Sequence, residues 1–133
     1  MILLDTHVLV WLAEDRADLG SRAAAAADDA LGRDELLVSA ISFWEIAMLA
    51  QKKRLELELE PAEFRRATLS LGIREIAVSG DIGVLATGLA RFHGDPADRI
   101  ILATSLATNA ALVTADRAML RWRGPGRRIP ARR

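Results

Sequence analysis

The chain has 133 residues, no cysteine and two histidines, with 51% hydrophobic and 27% charged residues. That length fits one domain able to bury its own core. The lack of Cys excludes disulfides, thiolate zinc sites and a cysteine nucleophile, so any metal must be held by oxygen or by the two His, which points to hard ions. The formal net charge of 0 hides an asymmetry: residues 117–133 hold seven arginines and no acid, so the first 116 residues carry all 18 acids and 11 basic residues, a net of −7.

Ile2-Leu3-Leu4 is a short buried-strand candidate, followed at once by Asp5, and a helix is predicted over about 6–13. A second helix, Ala-rich because Ala is the best helix former, covers about 20–31 and ends near Gly32. Leu36-Leu37-Val38 is the next strand. The helix after it is expected from about 43 to 53, on the stripe Phe43, Ile46, Ala47 and Ala50. Pro61 suits a first helical position, and that helix runs to about 71, before Gly72. Ile73 to Val78 is a third strand, followed by a helix near 81–92 and another from Pro96 to about Asn109. Ala111 to Thr114 gives a fourth strand, about 116–122 a short helix, and Arg128 to Pro130 a weak fifth strand. Short apolar strands alternating with helices predict an α/β fold with a mostly parallel sheet covered on both faces. No apolar run approaches the ~18 residues of a membrane span. The start carries Asp5 and His7 and lacks a basic leader, so a cytoplasmic protein is expected.

Ligands in such sheets bind beyond the carboxyl ends of the strands, where strand order reverses. Four acids fall there. Asp5 directly follows the first strand, and Asp116 lies two residues after the fourth. Glu45 and Asp98 sit in the first turns of predicted helices. Each has a bland reading as well. Ser42-x-x-Glu45 fits a capping box, Asp95-Pro96-Ala97-Asp98 fits the same pattern, and Asp116 could cap the helix after it. Asp5 has the least local reason to exist. Carboxylates gathered in one cleft repel one another unless a cation intervenes, and Mg²⁺ or Mn²⁺ would resolve that and activate water for attack on phosphorus. No Walker motif, G-x-S-x-G or G-x-G-x-x-G offers another chemistry.

Four blocks together resemble a known family. They are Leu3-Leu4-Asp5-Thr6-His7, Ser39-Ala40-Ile41-Ser42-Phe43-Trp44-Glu45-Ile46-Ala47, His93-Gly94-Asp95-Pro96-Ala97-Asp98-Arg99-Ile100-Ile101-Leu102-Ala103 and Leu112-Val113-Thr114-Ala115-Asp116-Arg117. They look like the PIN domain, and like its VapC-type toxin branch in particular. The likeness spans nearly the whole chain, with the blocks in order. It implies a single PIN domain over residues 1–133 and a three-layer α/β/α fold with strand order 3-2-1-4-5, reversing between the first and fourth strands. It also implies a Mg²⁺- or Mn²⁺-dependent endoribonuclease.

The family's acidic set carries over as Asp5, Glu45, Asp98 and Asp116. By that resemblance Asp5 and Asp98 are direct metal ligands, and Asp116 binds through water or holds a second ion. Glu45 polarises the attacking water or completes the metal shell. Thr6 and Thr114 would orient carboxylates or a phosphate, with backbone capping as the alternative. Asp95 is assigned to capping and left out of the metal set. His7 and His93 are candidates for substrate contact or proton transfer, although His7 at a helix start suits a structural role. Arg99 is expected to pair with an acid. The segment Arg123 to Pro130 departs from the family's apolar last strand. Its arginines are either solvated charge or a phosphate-binding surface.

The resemblance further implies a small antitoxin partner that blocks the acidic pocket, and a homodimer. Trp11, Trp44 and Met48 are the groove candidates, whereas Phe43 and Ile46 are assigned to the core. Two other readings stay open: a non-catalytic PIN-like binding module, and a nuclease acting on DNA. A phosphotransferase using Asp5 as nucleophile wants a second Asp two residues on, where this chain has His7.

Overall fold

In the computed structural model, which describes residues 1–133, five strands form one parallel sheet. They are β1 (Ile2–Leu4), β2 (Leu36–Ser39), β3 (Arg74–Ile76), β4 (Ala111–Thr114) and β5 (Arg128–Pro130), in the order β3-β2-β1-β4-β5. Seven helices connect them: α1 (Thr6–Ala13), α2 (Ser21–Gly32), α3 (Ala40–Gln51), α4 (Pro61–Ser70), α5 (Gly80–Thr87), α6 (Pro96–Thr108) and α7 (Arg117–Arg121).

The central strands are short runs of Leu and Val because both of their faces are covered. Alternation sends Leu4, Leu36, Val38 and Val113 into one core, with α1, α2, Ile46 of α3 and Phe64 of α4. Leu3, Leu37 and Leu112 point the other way, onto Ile101 and Leu102 of α6 and Met119 of α7. Helix α5 packs on α6 through Ile82, Ala86 and Ala103. The register is Ile2 opposite Leu36 and Ala111, and Leu4 opposite Val38 and Val113. Strand order therefore reverses at the β1/β4 border, where Asp5 leaves the sheet.

The fifth strand forms. It pairs Leu112 with Arg128 and Thr114 with Pro130. An edge strand needs only one partner, so Pro130, which has no N–H to donate, is tolerated there. Two helix limits differ from expectation. α5 ends at Thr87, where Gly88 caps it, instead of running on to 92. α3 begins at Ala40, not 43: β2 ends at Ser39, whose side chain caps the helix by accepting from the Ile41 N–H at 3.2 Å. Ser42 is therefore not a cap.

Candidate functional site

Four segments deliver acids to one cleft of about 390 Å³. Asp5, Glu45, Asp95, Asp98 and Asp116 line it, together with His7, Trp11, Ala115 and Arg132. Asp5 is 8% exposed and is fixed at both oxygens. Oδ1 accepts from the Thr6 N–H at 2.9 Å, and Oδ2 from the Thr114 hydroxyl at 2.6 Å. That same hydroxyl accepts from the Asp116 N–H at 3.0 Å, so Thr114 orients the first acid and the backbone of the last. Asp116 in turn caps α7 through Oδ1, accepting from the Met119 N–H at 3.0 Å. Thr6 turns its hydroxyl to Ser42 Oγ at 3.0 Å, tying α1 to α3 below Glu45.

Asp95 caps α6 by accepting from the Asp98 N–H at 2.8 Å, and Pro96 takes the first helical position. The cap uses only Oδ1. Asp95, Asp98 and Glu45 each have a carboxylate oxygen within 4.8 Å of the others. Asp95 thus stands in the cluster as well as capping the helix. The sequence signal was available: acids at the N-cap and three residues later both crowd the same opening of a helix.

Burial first, and this crowding second, set the electrostatics. Burial pushes the Asp5 carboxyl above its ordinary range, and the hydrogen bonds from Thr114 and Thr6 pull it only partly back. Glu45 is also raised, first by burial, with Asp5 and Asp95 adding repulsion and Thr6 opposing it. Asp98 is pushed up to about 7, by burial first and then by Asp95, Asp5, Asp116 and Glu45. None of these acids takes part in a salt bridge; the four ion pairs of the molecule lie at Glu35, Glu14, Asp29 and Glu75. Carboxylates that are close, part-buried and unpaired, with no sulfur and one imidazole nearby, are the donor set of a hard divalent cation. The residues present fit such an ion.

The PIN domain profile matches residues 2–124. The chain belongs to the PIN-domain family. It is 35% identical over 125 residues to Ribonuclease VapC22 of Mycobacterium tuberculosis, covering 93% of each chain. A toxin–antitoxin complex from Klebsiella pneumoniae contains a similar fold, with TM-score 0.62, 22% identity and 98% of both chains covered. So does VapBC2 from Rickettsia felis bound to a fragment of promoter DNA, with TM-score 0.62, 18% identity and coverage of 92% and 94%. FitAB bound to a DNA fragment gives 0.61 at 23% identity, covering 87% and 85%. The sheet order 3-2-1-4-5 of this chain and its likeness to these solved structures agree on the three-layer PIN fold.

Several side chains of this PIN fold stand elsewhere than expected. His7, at the start of α1, is exposed and lines the cleft, while His93 does not. Arg99 pairs with no acid. It donates to the carbonyls of Ala86, Phe92 and Thr87, which the early end of α5 and the turns after it leave open. Trp11 is 8% exposed and lies in the core beside the acid cleft, not in a groove. Ile46 is buried as expected, and Phe43 is half-buried against the same core. A separate, larger groove of about 830 Å³ runs between α3 and α4. Trp44, 56% exposed, lines it with Met48, Leu55, Leu57 and Leu59, and its rim carries Glu58, Glu60 and Glu63. That groove lacks clustered carboxylates of the kind found at β1/β4. No helix of the structure is long and apolar enough to cross a membrane.

Proposed function

We propose that the chain is a metal-dependent endoribonuclease, the toxin of a toxin–antitoxin pair. The observation that carries this is the set of unpaired carboxylates at the β1/β4 switch point, on a PIN domain whose relative is a VapC ribonuclease. Asp5, Asp98 and Asp116 would hold Mg²⁺ or Mn²⁺, with Asp95 at the same opening. The cation supplies Lewis acidity toward a water and a phosphate oxygen. Thr114 keeps the Asp5 carboxylate aimed, and the Thr6–Ser42 contact fixes the floor below Glu45. Glu45, raised by burial, is suited to take the proton of the attacking water as a new P–O bond forms and the RNA ester P–O bond breaks.

The antitoxin would cover the α3/α4 groove, whose apolar floor and acidic rim suit an amphipathic segment carrying basic residues. Homodimerisation belongs to the same proposal. Val84, 75% exposed on α5, and Leu85 beside it give an apolar surface on the opposite face of the sheet. Light scattering of the purified chain reads the oligomer directly.

The test of activity is cleavage of RNA, and of single-stranded DNA of matching sequence, by purified protein in Mg²⁺ or Mn²⁺ against EDTA. Asp5→Ala runs beside it. Metal-dependent cutting of RNA alone, lost in the variant, is expected. Cutting of DNA alone makes it a DNA nuclease. No cutting by a folded, antitoxin-free sample makes it a binding module, and equal cutting by the variant removes Asp5 from the site.

A further inference from the structure

Arg132 is the one permanently charged cation among the residues lining the acid cleft. Its guanidinium lies 4.9 Å from the centroid of the Trp11 ring. It makes no salt bridge with the acids around it. The contrast with Arg128 is sharp: that guanidinium is spent on the carbonyls of Pro125, Gly126, Trp122 and Gly124. Arg132 has its donors free.

Its backbone is nevertheless pinned. The Ala131 N–H donates to the Thr114 carbonyl at 2.9 Å, and Ala131 is fully buried. The Ala131 carbonyl accepts from the Gly20 N–H at 2.8 Å, and the Arg133 carbonyl from the Arg22 N–H at 2.8 Å. Gly20 is needed for this approach, because a Cβ there would sit 2.5 Å from the Arg132 carbonyl carbon and against the backbone of Arg133. Thr114 therefore holds Ala131, the residue before Arg132, through its carbonyl and Asp5 through its hydroxyl. The chain segment that carries Arg132 and the first acid of the cleft thus share Thr114 as a partner.

An RNA backbone entering a cleft of five carboxylates is repelled, and bound divalent ions offset that charge only in part. A planar guanidinium with free donors matches a phosphate in two parallel hydrogen bonds. We propose that Arg132 binds a backbone phosphate of the RNA seated in the acid cleft, with Gly20 and Trp11 as the residues that position it. This rests on the ribonuclease reading of the same cleft. It takes one of the seven arginines of residues 117–133 out of the solvated surface and gives it a ligand.

The experiment uses the full chain as wild type, Arg132→Ala, Arg132→Lys and Gly20→Ala, each checked by thermal melting. Affinity for a short fluorescein-labelled single-stranded RNA is measured in Ca²⁺ over a range of salt, and steady-state cleavage of the same RNA in Mn²⁺. Arg132→Ala is expected to raise Kd and KM roughly tenfold with a smaller change in kcat. It should flatten the slope of log affinity against log salt by about 0.7, the value for one phosphate contact on a single strand. Arg132→Lys should keep the slope and recover part of the affinity. Gly20→Ala keeps every charged group and should weaken binding in the same direction.

Unchanged Kd, KM and salt slope in Arg132→Ala overturns the proposal. So does a change confined to kcat or to Mn²⁺ affinity, which marks simple charge screening of the acids. A wild type that binds RNA without cutting it overturns the ribonuclease reading, and Arg132 is then judged on the binding arm. A wild type that neither binds nor cuts overturns both.

Discussion

Helices α3 and α6 both begin beside the acid cleft, with Ser42-x-x-Glu45 in one and Asp95-x-x-Asp98 in the other. At α6 the pattern is a real cap: Asp95 accepts from the Asp98 N–H, and Pro96 opens the helix. At α3 it is not. The cap is Ser39, and Ser42 is buried against the Thr6 hydroxyl. Glu45 thus stands six residues past the cap, in the second turn, where neither a capping bond nor the helix dipole accounts for it. The same spacing of residues is a cap in one place, and in the other it sets a half-buried acid in the cleft with no capping bond.

The largest test of that difference is at Glu45. Glu45→Gln keeps shape and removes charge. Cleavage is expected to fall on the order of 10²-fold, the scale of a lost proton acceptor. The melting temperature in EDTA should stay equal or rise, since a repelling carboxylate is gone. A clear drop in melting temperature would instead return Glu45 to a structural role.

Asp95 sharpens the other side. Asp95→Asn keeps a good cap, so stability should hardly change while cleavage and Mn²⁺ affinity fall roughly tenfold. Asp95→Ala should show the same loss together with about 1 kcal/mol of destabilisation from the missing cap. If the Asn variant is silent and only the Ala variant suffers, Asp95 is a cap and nothing else.

At α3 the expected effects are smaller and purely structural. Ser39→Ala should cost about 1 kcal/mol in chemical denaturation, as loss of a true N-cap does. Ser42→Ala removes one acceptor of the buried Thr6 hydroxyl, Glu45 being the other, and should cost less, on the order of 0.5 kcal/mol. Cost at Ser42 with none at Ser39 would move the helix start back to where the sequence pattern put it.

The sheet was legible because its central strands are Leu and Val runs buried on both faces, and because each is followed by turn or cap chemistry. Asp5, Asp98 and Asp116 were legible for the same reason, since strand ends and helix starts share one edge. The start of α3 was not. Two serines three residues apart both suit a cap, and the choice is made by where β2 stops pairing with β1 and by Thr6, 36 residues away. Arg99 was misplaced because its partners are carbonyls freed when α5 stops at Gly88, a limit the apolar pattern through Leu89 and Phe92 obscures. Arg132 could not be told from its six neighbours at all. Its place depends on residues 131–133 lying against Gly20, a backbone contact that leaves no periodic trace.

The smallest expected effect concerns pH, and it separates Asp98 from the cap beneath it. In the folded chain Asp98 is raised to about 7, from the 3.8 of an ordinary aspartate in the unfolded chain. Between those values the folded state holds a proton that the unfolded state has released, so raising the pH disfavours folding. Below the lower value both states are protonated and the cost is absent; above about 7 it is complete. Asp5 and Glu45 are raised too and act with the same sign. In EDTA, Asp98→Asn should therefore melt a few degrees above wild type at pH 8, by clearly less at pH 5, and close to it only below about pH 4. Mn²⁺ at pH 8 should raise the wild type more than the variant, because the ion removes the repulsion that the substitution has already removed. A variant that gains equally at both pH values would show that Asp98 owes its cost to packing and not to its own ionisation in the cleft.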